Sequence, residues 1–146
     1  MTTDELLSVE IGSRVSVFNR PFHYAGRTEL MLDDGSQMFW LYGENDQLLS
    51  VSPDEEELIL FEALEDEIES DDSVFFRGKE YEFSYENAGK ISAVEGEADT
   101  EPDDRYLFSE YEATDGEVLR LVTNENTGQV AGYIGRTVSE DDLSEI

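Results

Sequence analysis

Carboxylates dominate the side chains of this sequence that could do chemistry: 37 of the 146 residues are Asp or Glu. Two carboxylates held ~5–9 Å apart serve glycoside hydrolysis as acid and base or as acid and nucleophile. Clustered, their oxygens bind divalent cations when several converge. Around an exposed aromatic patch they rim a docking surface. With this many acids, close pairs arise without selection, and a working pair would also need a concave pocket and a raised pKa. His23 is the only histidine. It follows Phe22 and has no Ser or Cys beside it in sequence, whereas a triad needs nucleophile, base and orienting acid together. Its expected role is that of an ordinary strand residue. There is no cysteine, which excludes disulfides, thiolate metal sites and a Cys nucleophile. No Asp-x-Asp-x-Asp-Gly calcium loop occurs, and Gly26 and Gly35 lack a phosphate-loop context. No residue is therefore assigned to catalysis, to a cofactor or to a metal; Asp71-Asp72 and Asp103-Asp104 are at most weak sites for divalent cations. The candidate partner contacts are Asp71, Asp72, Asp99, Glu101, Asp103 and Asp104, together with Trp40. Trp40 neighbours Phe39, so the two point to opposite faces of one strand, and one of them is expected at the surface.

The balance of 9 basic against 37 acidic residues gives a formal charge of −28. That disfavours contact with nucleic-acid phosphates, which needs clustered Lys and Arg, and with anionic membrane surfaces. It favours a basic protein face, a polyamine or another polycation. A solvated surface adapted to salt or crowding is the bland explanation. An enzyme using paired carboxylates, with or without a metal, and an inhibitor that mimics the DNA backbone are the alternatives from other classes. Hydrophobic residues make up 38% and aromatics 11%, enough for a core and too many for a disordered acidic tail. No apolar run approaches the ~18 residues of a membrane span, and Met-Thr-Thr-Asp-Glu is not a signal peptide. The expected location is cytoplasmic.

Strands must position these groups. Val15 and Val17 alternate with polar residues, as do Leu30 and Leu32, then Leu49 and Val51. Turns are expected at Asn19-Arg20-Pro21, Asp33-Asp34-Gly35, Gly43–Asp46, Gly78-Lys79, Thr114-Asp115-Gly116 and Asn126-Thr127-Gly128. Pro53 ends a strand. Leu58, Phe61, Leu64 and Ile68 fit a helical stripe, but the flanking strands favour a strand over about residues 57–63, with a short helix as the alternative. Residues 80–85 and 90–94 read as separate strands. Residues 97–104 form an acidic loop, and residues 106–113, 118–123 and 130–134 are strands. Residues 1–10 are expected to fray. Ser139 with Asp142 signals a short helical turn at the C-terminus.

The halves look alike. Residues 16–24 align with 73–81 at an offset of 57, sharing Ser, Val, Phe, Arg and Tyr at five of nine positions. Phe39 and Tyr42 match Phe108 and Tyr111 at an offset of 69, and the difference, 69 − 57 = 12, is an insertion that includes the acidic loop. The expectation is all-β: one antiparallel barrel or sandwich, a single domain over 1–146, with pseudo-repeat halves at about 11–69 and 71–138. Neither half buries enough surface alone.

The stretch Phe76-Arg77-Gly78-Lys79-Glu80-Tyr81-Glu82-Phe83 resembles a repeated feature of the bacterial domain-of-unknown-function 4178 family. So do Gly96, the Glu110-Tyr111 pair and Gly132-Tyr133-Ile134-Gly135, and Met38-Phe39-Trp40-Leu41 is similar to that family's Trp-Leu strand. The resemblance covers roughly residues 10–138. It carries no catalytic residue over. It implies an accessory or binding role connected with membrane-stress and polyamine systems, although this chain is far more acidic than the family's pattern. Taken with the charge, the functional expectation is a non-enzymatic intracellular module that binds a basic protein surface or a polycation.

Overall fold

The computed structural model describes residues 1–146 other than Asn45, Asp66, Glu67, Ser70, Ala98, Asp99 and Ile146. Asp99 therefore lies outside the described residues. The alternating segments form β1 (Arg14–Val17), β2 (Arg20–His23), β3 (Gly26–Leu32), β4 (Gln37–Tyr42), β5 (Gln47–Ser52), β6 (Glu57–Leu64), β7 (Ser73–Phe76), β8 (Lys79–Gly96), β9 (Arg105–Glu112), β10 (Val118–Asn124), β11 (Val130–Thr137) and β12 (Leu143–Glu145). β3 to β6 run as a meander, and so do β8 to β11. The meanders meet antiparallel at β6–β11 and again at β3–β8. This closes an eight-stranded barrel, the size whose interior is filled by side chains or holds one small ligand. β7 folds back on β8 outside the ring, and β12-β1-β2 forms a separate three-stranded sheet.

Strand alternation sends one set of side chains into the barrel. Leu30, Met38, Trp40, Leu48, Ile59, Phe61, Ile91, Phe108, Val118 and Val122 form this inner core. The other set is covered from outside. Phe39, Leu41, Leu49, Val51 and Leu58 pack under the three-stranded sheet with Val15, Val17, Phe22 and Leu143. Tyr111, Leu119 and Leu121 pack with Val74, Phe76 and Tyr81. β4 and β5 are thus buried on both faces. Neither Phe39 nor Trp40 reaches the surface, at 8% and 3% exposure, which corrects the expectation that one would.

The strand expected over 57–63 forms as β6, and the expected C-terminal turn forms at Glu140–Asp142, with Ser139 and Asp142 capping each other. Four expectations shift. Residues 1–10 do not fray. Thr2 and Glu5 close a capping box on α1 (Thr3–Leu7), Leu6 is buried, and the Met1 ammonium donates to the Leu143 carbonyl at 3.2 Å. The first hairpin turns at Phe18-Asn19 (φ 52° and 62°) and the later one at Arg77-Gly78 (φ 50° and 77°), each a residue or so before the expected place. Two positive φ angles in a row make the primed turn whose twist suits a two-residue hairpin. Residues 80–85 and 90–94 belong to one 18-residue strand, β8, which bends at a register shift between Phe83 and Tyr85.

The repeat is not confirmed. Both halves place a hairpin before a meander, but the turns lie 77 − 18 = 59 residues apart, not 57. Tyr81 pairs with Val74 as Phe22 pairs with Val15, so Tyr24 is not its counterpart. Phe39 packs outside the barrel and Phe108 inside it, so the offset of 69 joins residues on opposite faces. A one-residue slip reverses every side chain on a strand.

Gly26 is where the chain needs the smallest residue. A Cβ there would meet the Glu97 carbonyl oxygen at 2.0 Å, because β3 passes under the start of the 97–104 loop. We expect Gly26→Ala to cost about 1–3 kcal/mol, the usual range for overpacking, read as a drop in the denaturation midpoint.

Candidate functional site

At the barrel end where β3, β5 and β11 begin, Trp40 and Tyr42 on β4, Tyr106 on β9 and Tyr133 on β11 line a cavity of about 480 Å³. Two-residue spacing along each strand aims these rings inward. Trp40 stands edge-on to Tyr106 and Phe108, with ring centroids 5.6 and 6.4 Å away, and its indole N–H donates to the Met38 sulfur at 3.3 Å.

Residues 100–104 of the acidic loop lie at this mouth and are pinned there. The Thr100 and Thr28 hydroxyls bond at 2.6 Å inside the barrel. The Ile91 N–H donates to the Asp104 carbonyl, and the Asp103 N–H to the Ile91 carbonyl. The Asn124 amide donates to the Asp104 carboxylate at 3.1 Å and to the Tyr106 hydroxyl at 3.2 Å. Glu101 and Asp104 therefore sit on the cavity wall. A second recess of about 290 Å³ shares Tyr42 and Tyr133 and is rimmed by Asp46 and Glu97. None of these four carboxylates is in an ion pair among the described residues. The arrangement is a set of aromatic faces with uncompensated negative charge around them. Aromatic faces attract cations through the ring quadrupole, most strongly when the cation is desolvated.

Toward the opposite end the barrel holds a buried charge network. Arg120 on β10 is fully buried and donates to Glu110 through Nε at 3.0 Å and Nη2 at 2.6 Å, and to the Ser50 hydroxyl at 2.8 Å. Its guanidinium lies over Phe61 and Phe108, at 4.7 and 5.1 Å from the ring centres. Glu57 is 3.9 Å from Arg120 and accepts from the Tyr85 hydroxyl at 3.1 Å. Burial, then the nearby Glu110 charge, raises the Glu57 pKa; burial raises that of Tyr85 as well. The space beside Tyr85 is only about 10 Å³, roughly one water. Glu57, at the start of β6, and the roomy cavity are at different ends of the barrel, and neither Glu57 nor Glu110 lines that cavity.

A carboxyl with a higher pKa folded than unfolded holds more protons in the folded state. Stability attributable to it therefore falls as pH rises from the ordinary value of 4.5 through the raised one. We expect Glu57→Gln, which keeps the Tyr85 bond, to raise the melting temperature at neutral pH. The gain should vanish below about pH 4, where both forms are neutral. Melts across pH check this.

The structure brings Trp40, Glu101 and Asp104 together at the mouth. Asp103 faces outward and lies 3.6 Å from Lys90, an exposed pair of little energetic weight. Asp71 and Asp72 lie elsewhere, ahead of β7, where their carbonyls accept from the Tyr111 hydroxyl and the Phe83 N–H. Sequence reasoning held Glu97 only as part of the acidic loop and Tyr133 only as part of the family motif, and did not single out Asp46, because only barrel closure places the three beside Trp40. It also missed Arg120, although an arginine inside Val118-Leu119-Arg120-Leu121-Val122 was a visible signal. Among the described residues no group of three or more His, Asp and Glu is placed to hold a metal. No helix is long and apolar enough to cross a membrane among those residues. The family model described as a domain of unknown function, DUF4178, matches residues 12–140. No curated protein and no solved structure matches the chain.

Proposed function

The chain belongs to the DUF4178 family, and on that footing we propose that it is an acidic, non-enzymatic, intracellular binding module whose barrel mouth takes a cationic group of a polycation or of a basic protein surface. The observation that carries this reading is the mouth cavity, with four aromatic side chains on its walls and carboxylates at its rim. Its volume falls within the usual range for ligand pockets. A solvated acidic surface would have no reason to gather Trp40, Tyr42, Tyr106 and Tyr133 around uncompensated carboxylates. The paired-carboxylate enzyme is the weaker reading, because the raised carboxyl lies away from the cavity.

Thermal melts at matched ionic strength test the proposal. At a net charge of −28, sodium chloride screens self-repulsion and raises the melting temperature whatever the surface does. Spermidine at submillimolar concentration is expected to add a further rise that sodium chloride of equal ionic strength does not. Coincident curves would reduce the acid to a solvated surface.

A further inference from the structure

We propose a second, separate interaction surface: the free edge of β7, which accepts an extended basic segment of a partner protein as an added strand. Among the described residues β7 is paired on one side only, to β8. The Arg77-Gly78 turn makes Phe76 and Lys79 the hydrogen-bonded pair that closes the hairpin. Alternation along an antiparallel ladder then turns the N–H and C=O groups of Ser73 and Phe75 away from β8. Phe75 is 73% exposed, while its neighbours Val74 and Phe76 are buried in the core beneath.

The side chains on the Phe75 face are acidic. Phe75 is opposite Glu80, and Ser73 is opposite Glu82. Glu82 in turn lies directly opposite Glu112 on β9. Like charges opposite one another weaken a sheet. None of these three glutamates is in an ion pair among the described residues, and Asp71 and Asp72 lead into the strand. Edges are normally protected by Lys, Pro or a covering element. This one is short, but it offers an exposed phenylalanine among unpaired carboxylates. A second copy of the chain would bring the same acids against themselves. A segment with Lys or Arg at alternate positions reaches its cations across β7 toward Glu80 and Glu82, about 10 Å away at two strand spacings, and sets its backbone along Ser73 and Phe75, the pattern of strand addition.

The test is calorimetric titration of the full chain with a peptide of about ten residues, a long natural strand, alternating Lys and Val. Controls are a peptide of the same composition with the lysines in one block, and an alternating Glu-Val peptide. Ser73→Pro removes one outward N–H at the first residue of an edge strand, where Pro is tolerated. Phe75→Ser removes the exposed ring without touching the core. The alternating Lys-Val peptide is expected to bind saturably, and each variant to weaken it at least tenfold with an unchanged melting temperature. Absence of saturable binding, equal binding by the block peptide, or wild-type affinity in both variants would overturn the proposal. Asp104→Asn, at the mouth, should leave this peptide's affinity unchanged. If it weakens the peptide instead, the peptide occupies the mouth and the edge proposal fails while the mouth reading stands.

Discussion

Arg120→Met is expected to cost about 3–5 kcal/mol, the range for breaking a buried ion pair from one side. The cost arises mainly from what remains. Glu110 accepts from both Nε and Nη2 of Arg120 and is itself buried, so it would be left charged and uncompensated in an apolar barrel. The Phe61 and Phe108 faces would also lose the guanidinium between them. A loss of this size is a large part of the ~5–15 kcal/mol that holds a typical domain. Arg120→Met with Glu110→Leu removes both charges and is expected to recover most of it, since apolar replacement of a whole buried pair is often neutral or better. Equilibrium denaturation of the two single variants and the double variant reads the coupling. A double variant no more stable than Arg120→Met would show that the cost comes from packing and not from stranded charge.

The second large effect belongs to the mouth. A cation that binds only the folded state stabilises it by RT ln(1 + [L]/Kd), about 2.7 kcal/mol at a hundredfold excess over Kd. Asp104→Asn removes one rim charge while its side-chain oxygen can still accept from Asn124. A hydrogen bond to a charged group contributes about 1.5–3 kcal/mol, so spermidine affinity should fall about tenfold or more. Without ligand the same variant should melt no lower than the wild type, because it relieves repulsion in a chain at −28. Weaker binding from a protein that is no less stable separates loss of a ligand contact from loss of the fold.

Much of the barrel was legible because strand and turn signals are local. Gln47 to Ser52 reads as a strand ended by Pro53, and it is one. Residues 57–63 were settled by their flanking strands. What failed depends on what lies across space. Met38-Phe39-Trp40-Leu41 gave no sign that its strand would be covered on both faces, since the outer cover comes from β1, β2 and β12 near the two ends of the chain. The repeat is not confirmed, and at the offset of 69 the obstacle is parity, where a single residue decides inside from outside. α1 was missed despite its Thr2-x-x-Glu5 signature, because a five-residue helix has no periodicity to read. The candidate site was half legible. Glu101, Asp104 and Trp40 were singled out separately, the acids for charge and the ring for its type. That they share one cavity follows from barrel closure, which no local pattern encodes.

The chain contains one tryptophan, and it lies on the wall of the mouth cavity. Its emission is therefore a direct report on that site. In a titration with spermidine at constant ionic strength, Trp40 fluorescence is expected to change saturably at submillimolar concentration. Sodium chloride should produce no such curve, and in Asp104→Asn the midpoint should move about tenfold higher, as loss of one charged contact requires. A Trp40 signal that stays flat in spermidine, or that follows sodium chloride equally, would contradict the barrel mouth as a cation site.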